Sequence, residues 1–176
     1  MFGAPEMIEI GRGLAYAGAG LAFGLAGSGS AWGIAIASHQ AAGVLREKPD
    51  MFGKMLIFIG LPGTQGFYGF IMAMMIMSQT GLMKATEAAQ IAVSPATGLA
   101  LFFIGLGFGL AQFISAIYQG EAAAAGISLV ARRPEAFGRA VMFPAFVETY
   151  AVMSLLAGLL SLTFLTKASM LSYLTQ

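Results

Sequence analysis

Glu148 is the residue on which chemistry can be built. Between Arg139 and Lys167 lie 27 residues, and Glu148 is the single charged one among them. A run of that length crosses a bilayer as a helix. Glu148 comes nine positions after Arg139, roughly 13 Å down the helix at 1.5 Å per residue and so near the bilayer midplane. A carboxylate there costs roughly 2.5–3.5 kcal/mol on insertion scales, and groups held at that cost usually mark a path for ions or protons.

Depth supplies the companions. Glu148 lies 14 residues after Pro134 and Gln119 lies 15 before it, while Thr64 and Gln65 lie 15 and 16 after Pro49. In regular helices these four side chains stand at one level, about 21–24 Å from their turns. Leu61, Thr64, Gln65 and Tyr68 follow helical spacing and share one face. Pro62 brings no backbone N–H, so the Phe58 carbonyl loses its helical donor, and Pro144 does the same to Ala140. The Pro62-Gly63 pair is expected to loosen the helix and expose a further carbonyl, that of Leu61.

Oxygen donors around one negative charge suit a small, hard, monovalent cation. Divalent ions ask for more carboxylate or water, and transition metals ask for His or Cys, which this layer lacks. Na⁺ on Glu148 makes a neutral pair, and a proton would neutralise it equally well. Sodium is the preferred reading because a proton alone leaves Thr64, Gln65 and Gln119 without a task. Polar glue between helices accounts for the glutamines but not for a carboxylate with no Lys or Arg at its depth.

The elements that must position these residues are written in the charge pattern. Segments 13–45, 55–83, 88–120 and 140–166 contain no Lys or Arg, and their one Asp or Glu is Glu148. The chain has 176 residues, is 58% hydrophobic, carries a net charge of +1 and has a mean hydropathy of +0.81. This predicts an all-α membrane protein with four transmembrane helices and no room for a soluble catalytic domain. The near-zero charge argues against a nucleic-acid partner. Glu6 and Glu9 ahead of the first long apolar run argue against a cleavable signal peptide. Six of the nine basic residues flank the turns near Pro49 and Pro134, which places those loops in the cytoplasm, with both termini and the Lys84 loop outside.

The chain also repeats itself. Lys48-Pro-Asp-Met-Phe-Gly-Lys54 matches Arg133-Pro-Glu-Ala-Phe-Gly-Arg139 at an offset of 85, which also carries Thr64 onto Thr149. Residues 1–176 thus read as one membrane domain made of two tandem-duplicated helical hairpins, 13–83 and 96–166, in parallel orientation. At that offset Glu148 falls on Gly63. The first helix, from about Gly13 to Val44, and the third are rich in glycine, and pairs such as Gly20/Gly24 and Gly29/Gly33 predict close helix contact. The second and fourth are bulky, with a Met-rich run at 72–77 read as lipid-facing or packing surface. Small helices inside and large ones outside predict a closed two-layer ring of identical copies surrounded by membrane lipid.

Leu61-Pro-Gly-Thr-Gln-Gly-Phe-Tyr-Gly69, Gln119-Gly-Glu-Ala-Ala-Ala-Ala-Gly126, Arg133-Pro-Glu135 and Val147-Glu-Thr-Tyr-Ala151 resemble the membrane rotor-ring proteolipids of V-type ATPases, in their bacterial sodium-translocating form (subunit K, c-type). The likeness runs from about residue 13 to 166. It implies that Glu148 carries Na⁺ as the transported ion, that Leu61 (backbone carbonyl), Thr64, Gln65 and Gln119 complete the metal coordination, and that Tyr68 hydrogen-bonds the carboxylate. It further implies a rotor subunit driven by ATP hydrolysis in partner subunits, without ATP chemistry of its own. Expected partners are a stator membrane subunit with an essential arginine and a central-stalk subunit at the cytoplasmic loops, in the cell membrane. A proton-translocating ring of the same type and a passive oligomeric channel are the alternatives. His39 reads as an interfacial packing residue and Glu121 as a solvated carboxylate or a tuner of ion entry.

Overall fold

The computed structural model describes residues 4–83 and 93–174, with side chains from 6 to 83 and from 93 to 168. Lys84 and the junction 84–92 lie outside the described residues. Helix α1 spans Ala4–Glu47, about 66 Å at 1.5 Å per residue, and begins earlier than Gly13 because the polar stretch from Glu6 to Arg12 joins it. Glu6 in its first turn and Arg46 in its last complement the helix dipole. It stops where Pro49 forces Lys48 out of the helical region, to φ −134°. Helix α4, Pro95–Arg132, ends the same way, with Arg133 at φ −135° before Pro134. The two turns therefore repeat in backbone geometry as they do in sequence.

Segment 55–83, expected as one helix, is divided. Helix α2 spans Phe52–Gly60, a 3₁₀ turn covers Leu61–Gly63, and α3 spans Thr64–Gln79. Pro62 lacks the N–H that a continuous α-helix needs, so the chain tightens for one turn. Gly81 ends α3 beyond Gln79 by taking φ 70°, with its N–H bonded to the Ser78 carbonyl, a left-handed cap that favours glycine. Tyr16 of α1 donates to the Leu82 carbonyl at 3.0 Å and anchors this turn. Helix α4 starts on Ser94, whose hydroxyl accepts the Thr97 N–H at 3.1 Å. Helix α5, Phe137–Leu174, runs through Pro144 without a break.

Helices α1 and α4 run parallel and touch backbone to backbone. Gly11 meets Gly98, Gly18 meets Gly105 and Gly33 meets Gly120, each pair with the same separation in sequence. A Cβ at Gly98, Gly105 or Gly120 would collide with the facing carbonyl. The expected Gly20/Gly24 pair does not serve this contact, because nothing lies within 4 Å of a Cβ at either position. Spacing put both on one face of α1, but that face points away from α4.

Helix α3 packs on α1 and α5 on α4, so bulky helices flank a glycine-rich pair. One apolar cluster holds Ala15, Ala22, Met72, Ile76, Leu101 and Leu162. The other holds Met55, Phe58, Ile127, Val130 and Ala140, with Phe137 edge-on to Phe58 at 5.8 Å. Met72 is thus core, while the outward apolar surface is carried by Phe67, Tyr150 and Phe164, each about 70% exposed. Four helical stretches among the described residues are long and apolar enough to cross a membrane. The chain is a multi-span membrane protein. Near its turns Lys48 donates to the Ala131 carbonyl and Lys54 to that of Pro134, which ties the hairpins together and gives the end of α4 a cation.

Candidate functional site

Between the two apolar clusters lies a polar layer built from α3, α4 and α5. The 3₁₀ turn at Pro62 is what aims it. Ser30 of α1 accepts the Gly66 N–H at 2.8 Å and pins α3 just past the turn. From there Thr64, Gln65 and Tyr68 project between α4 and α5.

Glu148 accepts hydrogen bonds at both carboxylate oxygens. Tyr68 donates to Oε1 at 2.6 Å, Thr64 donates to Oε2 at 2.8 Å, and Gln119 Nε2 donates to Oε2 at 2.5 Å. All three partners are uncharged. Gln119 also donates to the Pro144 carbonyl at 3.1 Å. Gln65 donates to Gln119 Oε1 at 2.6 Å and to Ser115 at 3.4 Å. Gln65 and Gln119 are both fully buried, and each makes at least two hydrogen bonds, as buried amides must.

The oxygens of this layer cluster tightly. Leu61 O, Gln65 Oε1 and Glu148 Oε2 stand 3.0, 3.3 and 2.8 Å from Thr64 Oγ1. Among these four, only the Thr64 hydroxyl carries a proton of its own, while Glu148 Oε2 also accepts the Gln119 N–H and Leu61 O the Thr64 backbone N–H. Carbonyl, hydroxyl and carboxylate oxygens gathered in this way are the ligand types of a hard cation. A cation with metal–oxygen distances of about 2.3–2.6 Å sets neighbouring ligand oxygens about 3–3.7 Å apart. Leu61 O and Gln65 Oε1 stand at such distances from Thr64 Oγ1, and the 2.8 Å hydrogen bond to Glu148 Oε2 would open slightly around an ion of that size. No group of three His, Cys, Asp or Glu side chains among the described residues is placed to hold a metal.

The structure therefore brings Leu61, Thr64, Gln65, Tyr68, Gln119 and Glu148 together. Gln119 turns its amide nitrogen to Glu148 and its oxygen to Gln65. Glu121 and His39 lie apart from the site and are exposed; His39 lines a polar groove of about 400 Å³ with Lys48 and Arg132. Three polar residues escaped the sequence reading. Ser115 lies between Gln65 and the Val147 carbonyl, at 3.4 and 3.5 Å. Gln112 is fully buried, donates to the Ala151 carbonyl and Ser154, and leaves its Oε1 unpartnered. Ser30 is the third. Gln112 and Ser115 precede Gln119 by seven and four residues, so their shared helix face was the available signal.

Comparison with known proteins places this geometry in a lineage. The family model of the ATP synthase C subunit matches twice, over residues 17–76 and 102–161. The chain is 42% identical over 152 residues to the A-type ATP synthase subunit K of Methanocaldococcus jannaschii. That alignment covers 86% of this chain and 63% of the relative, so the chain spans a little under two thirds of that protein's length. It is 37% identical over 127 residues to the V-type sodium ATPase subunit K of Enterococcus hirae, covering 72% of this chain and 76% of that protein. A V-type proton ATPase 16 kDa proteolipid subunit from Chrysotila carterae is 28% identical over 145 residues, 82% of this chain and 87% of that protein.

Proposed function

The chain belongs to the family of ATP synthase C subunits, in tandem duplicate, and on that premise we propose that it is a rotor-ring subunit of a rotary A/V-type ATPase that carries Na⁺ on Glu148. Copies of the chain form the ring, ATP hydrolysis in partner subunits turns it, and a stator subunit with an arginine discharges the site. The ring lies in the cell membrane, with the turns at Pro49 and Pro134 on the cytoplasmic side against a central-stalk subunit.

The observation that supports the sodium reading is the gathering of Leu61 O, Gln65 Oε1 and Glu148 Oε2 within 3.3 Å of Thr64 Oγ1, four oxygens around one carboxylate. A cation there replaces oxygen–oxygen repulsion with attraction and neutralises the carboxylate. It also repels the Gln119 amide nitrogen, so the Gln119 side chain shifts to bring its oxygen, still accepting the Gln65 N–H, to the ion as the fifth ligand. Tyr68 stays on Oε1 and holds the carboxylate in place. The neutral pair travels past lipid, and Glu148 ionises only where water reaches it beside the stator charge.

One carboxylate per four helices also sets the gearing. Gly63 occupies the place of Glu148 in the first hairpin, so each chain carries one ion. Fewer ions per turn leave more driving force for each, which suits a pump working against a steep gradient.

ATP-driven uptake of radioactive Na⁺ into vesicles holding the whole complex tests this reading. Uptake should resist a protonophore, which dissipates a proton gradient but not a sodium one. Thr64→Val should lower apparent Na⁺ affinity about tenfold or more, since a lost contact to a charged group is worth about 1.5–3 kcal/mol. Tyr68→Phe removes the bond to Oε1 but no ligand, and its loss of affinity should be smaller than that of Thr64→Val. ATP-driven proton uptake with no Na⁺ uptake, unchanged by Thr64→Val, would replace sodium with a proton.

A further inference from the structure

A groove of about 590 Å³ lies between α1 and α3, lined by Ser30, Ile34, Gly63, Gly66 and Phe67 among others. The two family matches stand 85 residues apart. At that offset Ser30, Ile34 and Gly63 correspond to Ser115, Gln119 and Glu148. Their contacts correspond as well. Gln119 holds the Glu148 carboxylate, and Ile34 Cδ1 lies 3.4 Å from where a Cβ of Gly63 would stand. The groove is the Glu148 site repeated, with the carboxylate cut back to glycine and the amide replaced by isoleucine.

The Glu148 site has a wall that the groove lacks. Thr64, Gln65 and Tyr68 of the other hairpin close it, and Gln65 is fully buried beside Ser115 and Gln119. Their counterparts at the same offset are Thr149, Tyr150 and Met153 on α5. In the same chain α5 packs against α4 and α3 instead, leaving Tyr150 72% and Met153 62% exposed. The displacement that carries the first hairpin onto the second, applied once more, brings this face of α5 onto the groove of another copy.

Resting on the ring reading above, we infer that a second copy of this chain seats Tyr150 in the Gly63 groove, between Ser30 and Ile34. The chemistry agrees with the occupant. The groove is nearly all apolar, its Ser30 hydroxyl already accepts the Gly66 N–H, and it has no carboxylate. It takes an aromatic ring where the true site takes an amide, and burying that ring holds the seam through apolar area. The ring then has two kinds of seam. The one inside each chain carries the ion, and the one between chains is closed by Tyr150 without an ion.

The chain contains no cysteine, so introduced thiols report alone. Ile34→Cys with Tyr150→Cys, and separately Gly63→Cys with Thr149→Cys, are placed in the full complex in membranes and oxidised with copper phenanthroline. The expected result is a covalent ladder from dimer to closed ring on a denaturing gel, the same with and without Na⁺, and absent from each single variant. A ring sized by native mass spectrometry that yields no ladder from either pair overturns the seat and leaves the ring reading standing. Absence of any oligomer overturns both. As a check free of cysteines, Tyr150→Ala should lower the temperature at which the ring dissociates while Tyr150→Phe keeps it. Equal dissociation temperatures for the two variants would also overturn the seat.

Discussion

Glu148→Gln is expected to abolish ion transport while leaving the four-helix fold in place. Thr64, Tyr68 and Gln119 all donate toward the two carboxylate oxygens, so the pocket is arranged for a group that only accepts. A glutamine offers one oxygen and turns an NH₂ group toward donors. It also removes the charge that makes a cation worth binding. Each charge-assisted bond is worth about 1.5–3 kcal/mol, and losing two of them costs on the order of a hundredfold or more in affinity. The fold survives because removing a midplane charge recovers roughly 2.5–3.5 kcal/mol on insertion scales, which offsets much of what the lost bonds supplied. Transport by the reconstituted complex should fall to background, with a ring of normal mass.

Gly105→Leu should have the largest structural effect. Gly105 faces Gly18 where α1 and α4 touch, and even a single Cβ there would collide with the Gly18 carbonyl. An isobutyl group forces the two helices apart over the contact. Separation at Gly105 strips Ala15 and Leu101, both fully buried, of their packing. Inside a membrane this close approach is a main source of helix association, since lipid is as apolar as the side chains. Overpacking of cores costs typically 1–3 kcal/mol when neighbours can yield, and backbone cannot. The chain should fail to accumulate as a folded ring in detergent. Gly107→Leu is the paired control. Nothing lies within 4 Å of a Cβ there, so that chain should fold as the parent does.

The spans, the duplication and the level of the polar layer were legible in the charge pattern and the repeat. Equal distances from Pro49 and Pro134 brought Thr64, Gln65, Gln119 and Glu148 to one depth, and the folded chain joins them by hydrogen bonds. The Pro62-Gly63 loosening was legible as well, because a missing N–H has a local consequence. What spacing could not supply was direction. Gly20 and Gly24 satisfied the rule for close contact but face away from α4, since periodicity defines a face and not its neighbour. Ser30 was illegible for another reason. A serine in a membrane helix commonly bonds back to its own helix, as Ser28 and Ser161 do here at 2.7 and 2.8 Å. Residue type alone does not separate those from the serines that reach across helices.

Carbodiimide modification of Glu148 at graded Na⁺ concentrations tests the central claim most directly. A bound cation occupies the carboxylate and shields it from the reagent. Na⁺ should therefore slow labelling of Glu148 in a saturable way at fixed pH, and choline at equal ionic strength should not. Thr64→Val should move the midpoint to higher Na⁺ by about tenfold or more. Labelling that proceeds at one rate whatever the Na⁺ concentration would contradict sodium binding at Glu148.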